Sequence, residues 1–281
     1  MLGALIIVFR EVIEAGLIVG IVMAVTQGVH GSRLVIAAGV AAGVVGAILV
    51  AAVAGVIAQA LAGIGQEIFN ASILLIAVVM LIWHNVWMAS HGRELAAEVK
   101  RVGDAVRTGS RSIVALGVVC AVAVMREGSE IALFMYGLAA SAGSTMSELV
   151  IGSVLGLLAG AGVTAVTYLG LVTIPQRRLF AVTTALISFL AAGLAAQAVL
   201  FLQQAGLLTM LSQTAWDTSA ILSDTSLIGR VLHTLIGYND QPSVLQVVVY
   251  AATLAVIVVL TKTFSPSRPP ASKARGEAPA R

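Results

Sequence analysis

Two short patterns hold the chemistry of this chain. Residues 10–14 read Arg10-Glu11-Val12-Ile13-Glu14 and residues 126–130 read Arg126-Glu127-Gly128-Ser129-Glu130, two copies of R-E-x-x-E. Both lie inside long apolar runs, where an ionisable side chain costs a few kcal/mol and faces a polar interior. On a helix at about 100° per residue, with Arg10 at 0°, Glu14 falls at about 40° and Glu11 at about 100°. All three share one face, and Arg10 can pair with Glu14 one turn on. The same holds for Arg126, Glu127 and Glu130. Each copy has two acids and one base, so two converging copies hold four carboxylates, two guanidinium groups and a net charge of −2. Ion pairing alone needs one acid per base. The surplus carboxylates are what a hard cation would satisfy, because oxygen donors suit hard ions whereas soft Cu(I) or zinc draws thiolate or imidazole. No Cys or His lies in either pattern. The alternative, a buried ion-pair network that only fixes helix register, accounts for one copy far better than for two.

The elements that carry these residues follow from composition. Of 281 residues 59% are hydrophobic and 10% charged, with mean hydropathy +1.03. A soluble domain carries roughly 25% charge, so this chain cannot cover a folded surface in water. A soluble globular enzyme, a disordered chain and a nucleic-acid binder are excluded. The single cysteine, Cys120, excludes a disulfide framework and any multi-cysteine metal site. Neither H-E-x-x-H nor G-x-S-x-G occurs, and four carboxylates with no nucleophile make poor hydrolytic machinery, so no enzyme is expected. What remains is an all-α, polytopic membrane protein embedded in a lipid bilayer.

Spans of about 20 apolar residues fall at 2–29, 34–63, 68–89, 113–141, 147–174, 179–206 and 243–264. The first is read as a retained span, because no Lys or Arg precedes it and its apolar pattern runs past residue 25. Thirteen of the sixteen Lys and Arg collect on one side: in the connection at Arg33, in 90–112, at Arg177 and Arg178, and in the tail. Only Arg230 lies opposite. By the positive-inside rule the N-terminus is outside and the C-terminus cytoplasmic; the pI of about 9.4 is therefore a topology signal. Glu67, Glu148, Asp217, Asp224 and Asp240 mark the outer side, an acidic face suited to concentrating cations. Spans one and four run in opposite directions, so 1–89 and 113–206 read as an inverted repeat. In such repeats the site lies near the midplane. Segment 90–112 predicts a short surface helix, 207–242 an external amphipathic or partly re-entrant segment, and 265–281 a disordered basic tail after a transmembrane domain covering 1–264. Small-residue spacings at Gly16/Gly20, Gly39/Gly43 and Gly152/Gly156/Gly160 fit close helix packing. His84, beside Trp83 and Trp87, reads as part of an interfacial aromatic belt. Cys120 faces away from the second motif and reads as core. Asp217 and Asp224 fit either metal delivery or helix capping.

Two intramembrane R-E-x-x-E motifs, in the first and fourth of seven spans, resemble the oxidase-dependent iron permease family, which includes fungal high-affinity iron permeases and bacterial relatives. The resemblance covers about residues 1–264 and includes Glu67 opening the third span, Trp87-Met88 closing it, and Trp216-Asp217 through Leu232-His233 to Gly237-Tyr238. It implies import of ferric or oxidation-coupled iron into the cytoplasm. Glu11, Glu14, Glu127 and Glu130 would coordinate the metal, with Arg10 and Arg126 in the motif arginine positions. Glu67 would act where the ion enters. Iron is here the transported substrate, with no permanent cofactor. Extracytoplasmic iron-binding or oxidase- or peroxidase-like proteins are the implied partners. No counterpart of the additional acidic motifs in the fungal extracellular loops is present. The residues by themselves leave open another cation, such as lead or manganese, and a membrane sensor that binds metal without moving it.

Overall fold

The computed structural model describes residues 1–61, 65–140, 145–170, 176–224 and 226–264, which form eight helices. These are α1 (Leu2–Val25), α2 (Ser32–Leu61), α3 (Gln66–Arg107), α4 (Val114–Ala140), α5 (Met146–Tyr168), α6 (Gln176–Gln204), α7 (Leu227–Ile236) and α8 (Val244–Phe264). Among the described residues the only extended pairing is an isolated bridge between Thr214 and Ser243. Among the described residues five helices are long and apolar enough to cross a membrane, through Ser32–Val56, Gln66–Met88, Met146–Tyr168, Ala181–Gln204 and Val244–Phe264. Helices α1 and α4 have the length, at 24 and 27 residues, yet fall short on apolarity because each carries an R-E-x-x-E motif. Ile48, Leu49 and Val53 on α2, Leu157 and Leu158 on α5, and Val256 and Val259 on α8 point outward and uncovered. Only a lipid solvent makes that surface tolerable. The chain is a multi-pass helical membrane protein.

Glycine sets how closely the helices approach. Gly152, Gly156 and Gly160 line one face of α5, and a methyl group at any of them would collide with the backbone or side chains of Met1–Val12 in α1. Gly39 of α2 meets the backbone of Gly117 in α4 in the same way, and Gly43 meets Ala121 and Val124. The predicted small-residue stripes are thus two helix interfaces, α1 with α5 and α2 with α4. Gly16 belongs to the first, against Thr164, whereas a methyl group at Gly20 would meet nothing within 4 Å. Thr145 starts α5 by accepting the Glu148 N–H at 3.3 Å, and the Glu148 carboxylate stands 3.6 Å from the Met1 amine.

The separate helix expected in 90–112 does not exist as such. Helix α3 continues unbroken through it to Arg107, stopped by Thr108 and by Gly109 at φ 78°. No proline interrupts the 42 residues of α3. At 1.5 Å per residue they span roughly 63 Å, about twice a bilayer core. The extension stays attached because Val99 and Val106 bury against Ile18, Val22, Leu116 and Cys120, while Gly103 fits beneath Val25. Cys120 is fully buried, as its position on α4 predicts.

After α6 the chain runs irregularly through residues 207–224, ahead of the short α7. Ser226 caps α7 by accepting the Gly229 N–H at 3.0 Å, and Gly237, left-handed at φ 71°, ends it. The amphipathic element expected in 207–242 is this helix. The basic tail, 265–281, lies outside the described residues.

Candidate metal centre

Three helices share one layered design. Helices α1, α3 and α4 each contribute to an apolar cluster toward one end (Ala4 and Ile7; Leu74 and Leu81; Phe134 and Leu138) and to a second toward the other (Ile18 and Val22; Val99 and Val106; Leu116 and Cys120). The ionisable residues fall between: Arg10, Glu11 and Glu14 on α1, His84 on α3, and Glu127 and Glu130 on α4. The periodicity that builds each apolar face is broken at one level on all three helices, and the breaks meet.

Within this layer Arg10 is 1% exposed, Glu11 0%, Glu14 3%, His84 3% and Glu127 2%. Arg10 Nε lies 3.0 Å from Glu14 Oε1, and its Nη1 donates to Glu11 Oε1 at 3.4 Å. On α4, Arg126 Nε donates to Glu130 Oε1 at 3.3 Å and lies 3.7 Å from Glu127 Oε1. The one-turn pairing expected from each motif is present in both. Arg126 differs from Arg10 in leaving 32% of its side chain exposed, with its guanidinium 4.0 Å above the Trp87 ring.

His84 corrects the sequence reading. It is no part of an aromatic belt. Its Nε2 stands 3.4 Å from Glu14 Oε2 and 3.7 Å from Glu11 Oε2, and its Nδ1 is in contact with Glu130 Oε2. The apolar run ends near residue 89, which put His84 at a span's end; α3 in fact continues well beyond, so His84 is mid-helix and level with both motifs. The usable signal was the one that exposed the motifs, an ionisable side chain inside an apolar run. The imidazole also changes the donor chemistry, since both motifs lack nitrogen donors other than arginine.

One donor atom from each of Glu11, His84, Glu127 and Glu130 lies within 4.8 Å of all the others, a spacing able to hold a metal ion. Glu11 Oε2, Glu127 Oε2 and both Glu14 oxygens are buried without a hydrogen-bond partner. Unmatched buried oxygens of this kind are costly unless something else satisfies them. Glu14 is outside this set of four; its Oε1 faces Arg10 and its Oε2 faces His84. A cavity of about 350 Å³ reaches His84 and Glu130 between Trp83, Trp87 and Arg126.

The outer acids stand apart from this centre. Glu67 is exposed in the first turn of α3, seventeen residues and roughly 26 Å along the axis from His84. Asp217 accepts from the Ser219 hydroxyl at 2.6 Å, the Ser219 N–H at 3.0 Å and the Gln241 amide at 3.0 Å. These bonds, the Ser219 hydroxyl's first, hold the Asp217 carboxyl below its ordinary range. At Asp224 the backbone N–H donates to Asp240 Oδ2 at 3.2 Å. Asp217 therefore organises a turn.

The chain is similar in sequence to known proteins. The profile of the Iron permease FTR1 family matches residues 1–265. The ferrous iron permease EfeU of Shigella flexneri is 34% identical over 186 residues, 66% of this chain and 78% of the relative. EfeU of Escherichia coli O6:K15:H31 (strain 536) has the same identity over 186 residues, covering 67% of its length. No solved structure matches the chain. With two R-E-x-x-E helices packed into one buried centre and a family match from end to end of the transmembrane domain, the chain belongs to the FTR1 iron permease family.

Proposed function

We propose that this protein imports iron across the cell membrane into the cytoplasm, passing it through the centre formed by Glu11, Glu14, Glu127 and Glu130 with Arg10 and Arg126 as their counter-ions. The observation that carries the reading is the meeting of both motifs in one buried layer, where carboxylates outnumber guanidinium groups. The surplus negative charge attracts a cation, and the arginines keep the unloaded centre tolerable in a low-dielectric interior. Relatives named as ferrous iron permeases support iron as the cargo.

In this reading α1 to α6 and α8 cross the bilayer as seven spans. α1 and α4 are admitted because their charges are buried in protein. The packing supports an inverted repeat of α1–α3 and α4–α6. Exchanging the halves turns the α1–α5 glycine interface into the α4–α2 one, and returns the α1–α4 and α3–α6 pairs to themselves. The N-terminus is outside, Glu67, Asp217 and Asp224 lie on the side from which the ion enters, and extracytoplasmic iron-binding or peroxidase-like partners would deliver it there.

The test is uptake of radioactive iron into proteoliposomes by wild type, Glu11→Gln and Glu127→Gln. Each variant is expected to lose at least about tenfold in uptake, the scale on which metal sites respond to altered surroundings. Equal uptake by all three overturns the site. Transport of lead or manganese in preference to iron leaves the site and overturns the cargo.

A further inference from the structure

We infer that His84 is a direct ligand of the transported ion, and that its imidazole makes the centre selective for divalent iron over harder ions that carboxylates alone would accept. This deepens the permease reading and rests on it.

Three observations converge. First, His84 arrives from α3, a helix with no motif, yet it is 3% exposed and lies among the carboxylates of both motifs. A histidine serving only as packing would not be placed with its two ring nitrogens facing the carboxylates of Glu11, Glu14 and Glu130. Second, one of its nitrogens joins one oxygen each from Glu11, Glu127 and Glu130 in a set whose members are all within 4.8 Å of each other. Those oxygens come from two helices and the nitrogen from a third, so a single ion there would tie α1, α3 and α4 together. Third, Glu14 is excluded from the set but stands 3.4 Å from His84 Nε2. A metal-bound histidine usually gives its other ring N–H to a carboxylate, which fixes the tautomer and aims the ring. Glu14, itself held by Arg10 at 3.0 Å, supplies that carboxylate. The chain Arg10–Glu14–His84 then orients the ligand, while Glu11, Glu127 and Glu130 meet the ion directly.

The donor set has consequences for selectivity. Carboxylate-only sites suit Mg²⁺, Ca²⁺ and Mn²⁺, whereas imidazole adds affinity for iron and later metals, which lie higher in the order of divalent stability. Charge points the same way. The four motif carboxylates and two guanidinium groups carry a formal charge of −2, which a divalent ion cancels and a trivalent one overshoots. Access is provided where the cavity between Trp83, Trp87 and Arg126 touches His84 and Glu130.

The experiment loads purified full-length protein with Fe²⁺ under anaerobic conditions and reads X-ray absorption, in which a ligating imidazole gives characteristic outer-shell scattering. Wild type is expected to show one imidazole on iron; His84→Ala and the more conservative His84→Asn are expected to show none. In competition, both variants should lose about tenfold or more in the preference for Fe²⁺ over Mn²⁺. Glu14→Gln should keep the imidazole but weaken Fe²⁺ binding. Iron bound to wild type without imidazole scattering overturns the inference and leaves the carboxylate centre standing, as does unchanged Fe²⁺/Mn²⁺ preference in the variants. Failure of wild type to bind Fe²⁺ at all overturns both this inference and the permease site beneath it.

Discussion

Arg10 and Arg126 occupy equivalent motif positions but do unequal work. Arg10 is buried and pairs with both of its glutamates, whereas Arg126 is 32% exposed and shares its charge with the face of Trp87. Removing Arg10 leaves Glu11 and Glu14 buried beside each other with only His84 facing them, and breaking a buried pair costs about 3–5 kcal/mol. Arg10→Ala should therefore lower the thermal unfolding temperature of the detergent-solubilised protein by much more than Arg126→Ala. Equal shifts would mean that the layer around Arg10 is wetter than its burial indicates. At this scale the motifs were legible in the sequence, because an R-E-x-x-E face depends only on helical pitch and both of its ion pairs are local. His84 was not, because its partners sit on α1 and α4 and no periodicity within α3 could name them.

Helices reach their positions through glycines that differ sharply in what surrounds them. A Cβ at Gly156 would come within 2.6 Å of the Leu5 carbonyl oxygen and 3.0 Å of Val8 Cβ, both on α1. Backbone cannot move aside as a flexible side chain can, so Gly156→Ala should cost about 1–3 kcal/mol, the usual range for overpacking. Gly20 lies on α1 with nothing within 4 Å, and there alanine gains up to about 1 kcal/mol of helix propensity. Thermal melts should thus move in opposite directions for Gly156→Ala and Gly20→Ala, although both sit in apolar helices with G-x-x-x-G spacing. The spacing alone could not separate them, since it records which residues share a stripe and not whether a neighbour faces it. The length of α3 escaped the sequence for a related reason: the hydropathy drop after residue 89 marks where lipid ends, and the helix does not end with it. Its polar extension remains helical because Val99 and Val106 still find an apolar surface at the end of the bundle.

For the whole molecule, orientation follows from charge outside the bilayer, and the fold ties that charge to fixed points. The α3 extension carries Lys100, Arg101 and Arg107, and its packing against α1, α2 and α4 through Val99 and Val106 places these bases at the same end as Val25 and Val114. Glu67, by contrast, opens α3 at its other end, near which Glu148 meets the Met1 amine. These bases and the acids Glu67 and Glu148 thus sit at opposite ends of one bundle, and from that the positive-inside rule predicts that Met1 is outside. Because Cys120 is the only cysteine and is buried, Cys120→Ser gives a background for single labels. On it, Ser219→Cys should react with a membrane-impermeant maleimide in right-side-out vesicles, whereas Arg107→Cys should react only after the membrane is opened. The reverse pattern would invert the molecule. It would also turn the proposed importer around, so that the acidic face, with Glu67, Asp217 and Asp224, would gather cations from the cytoplasm and the centre would serve export.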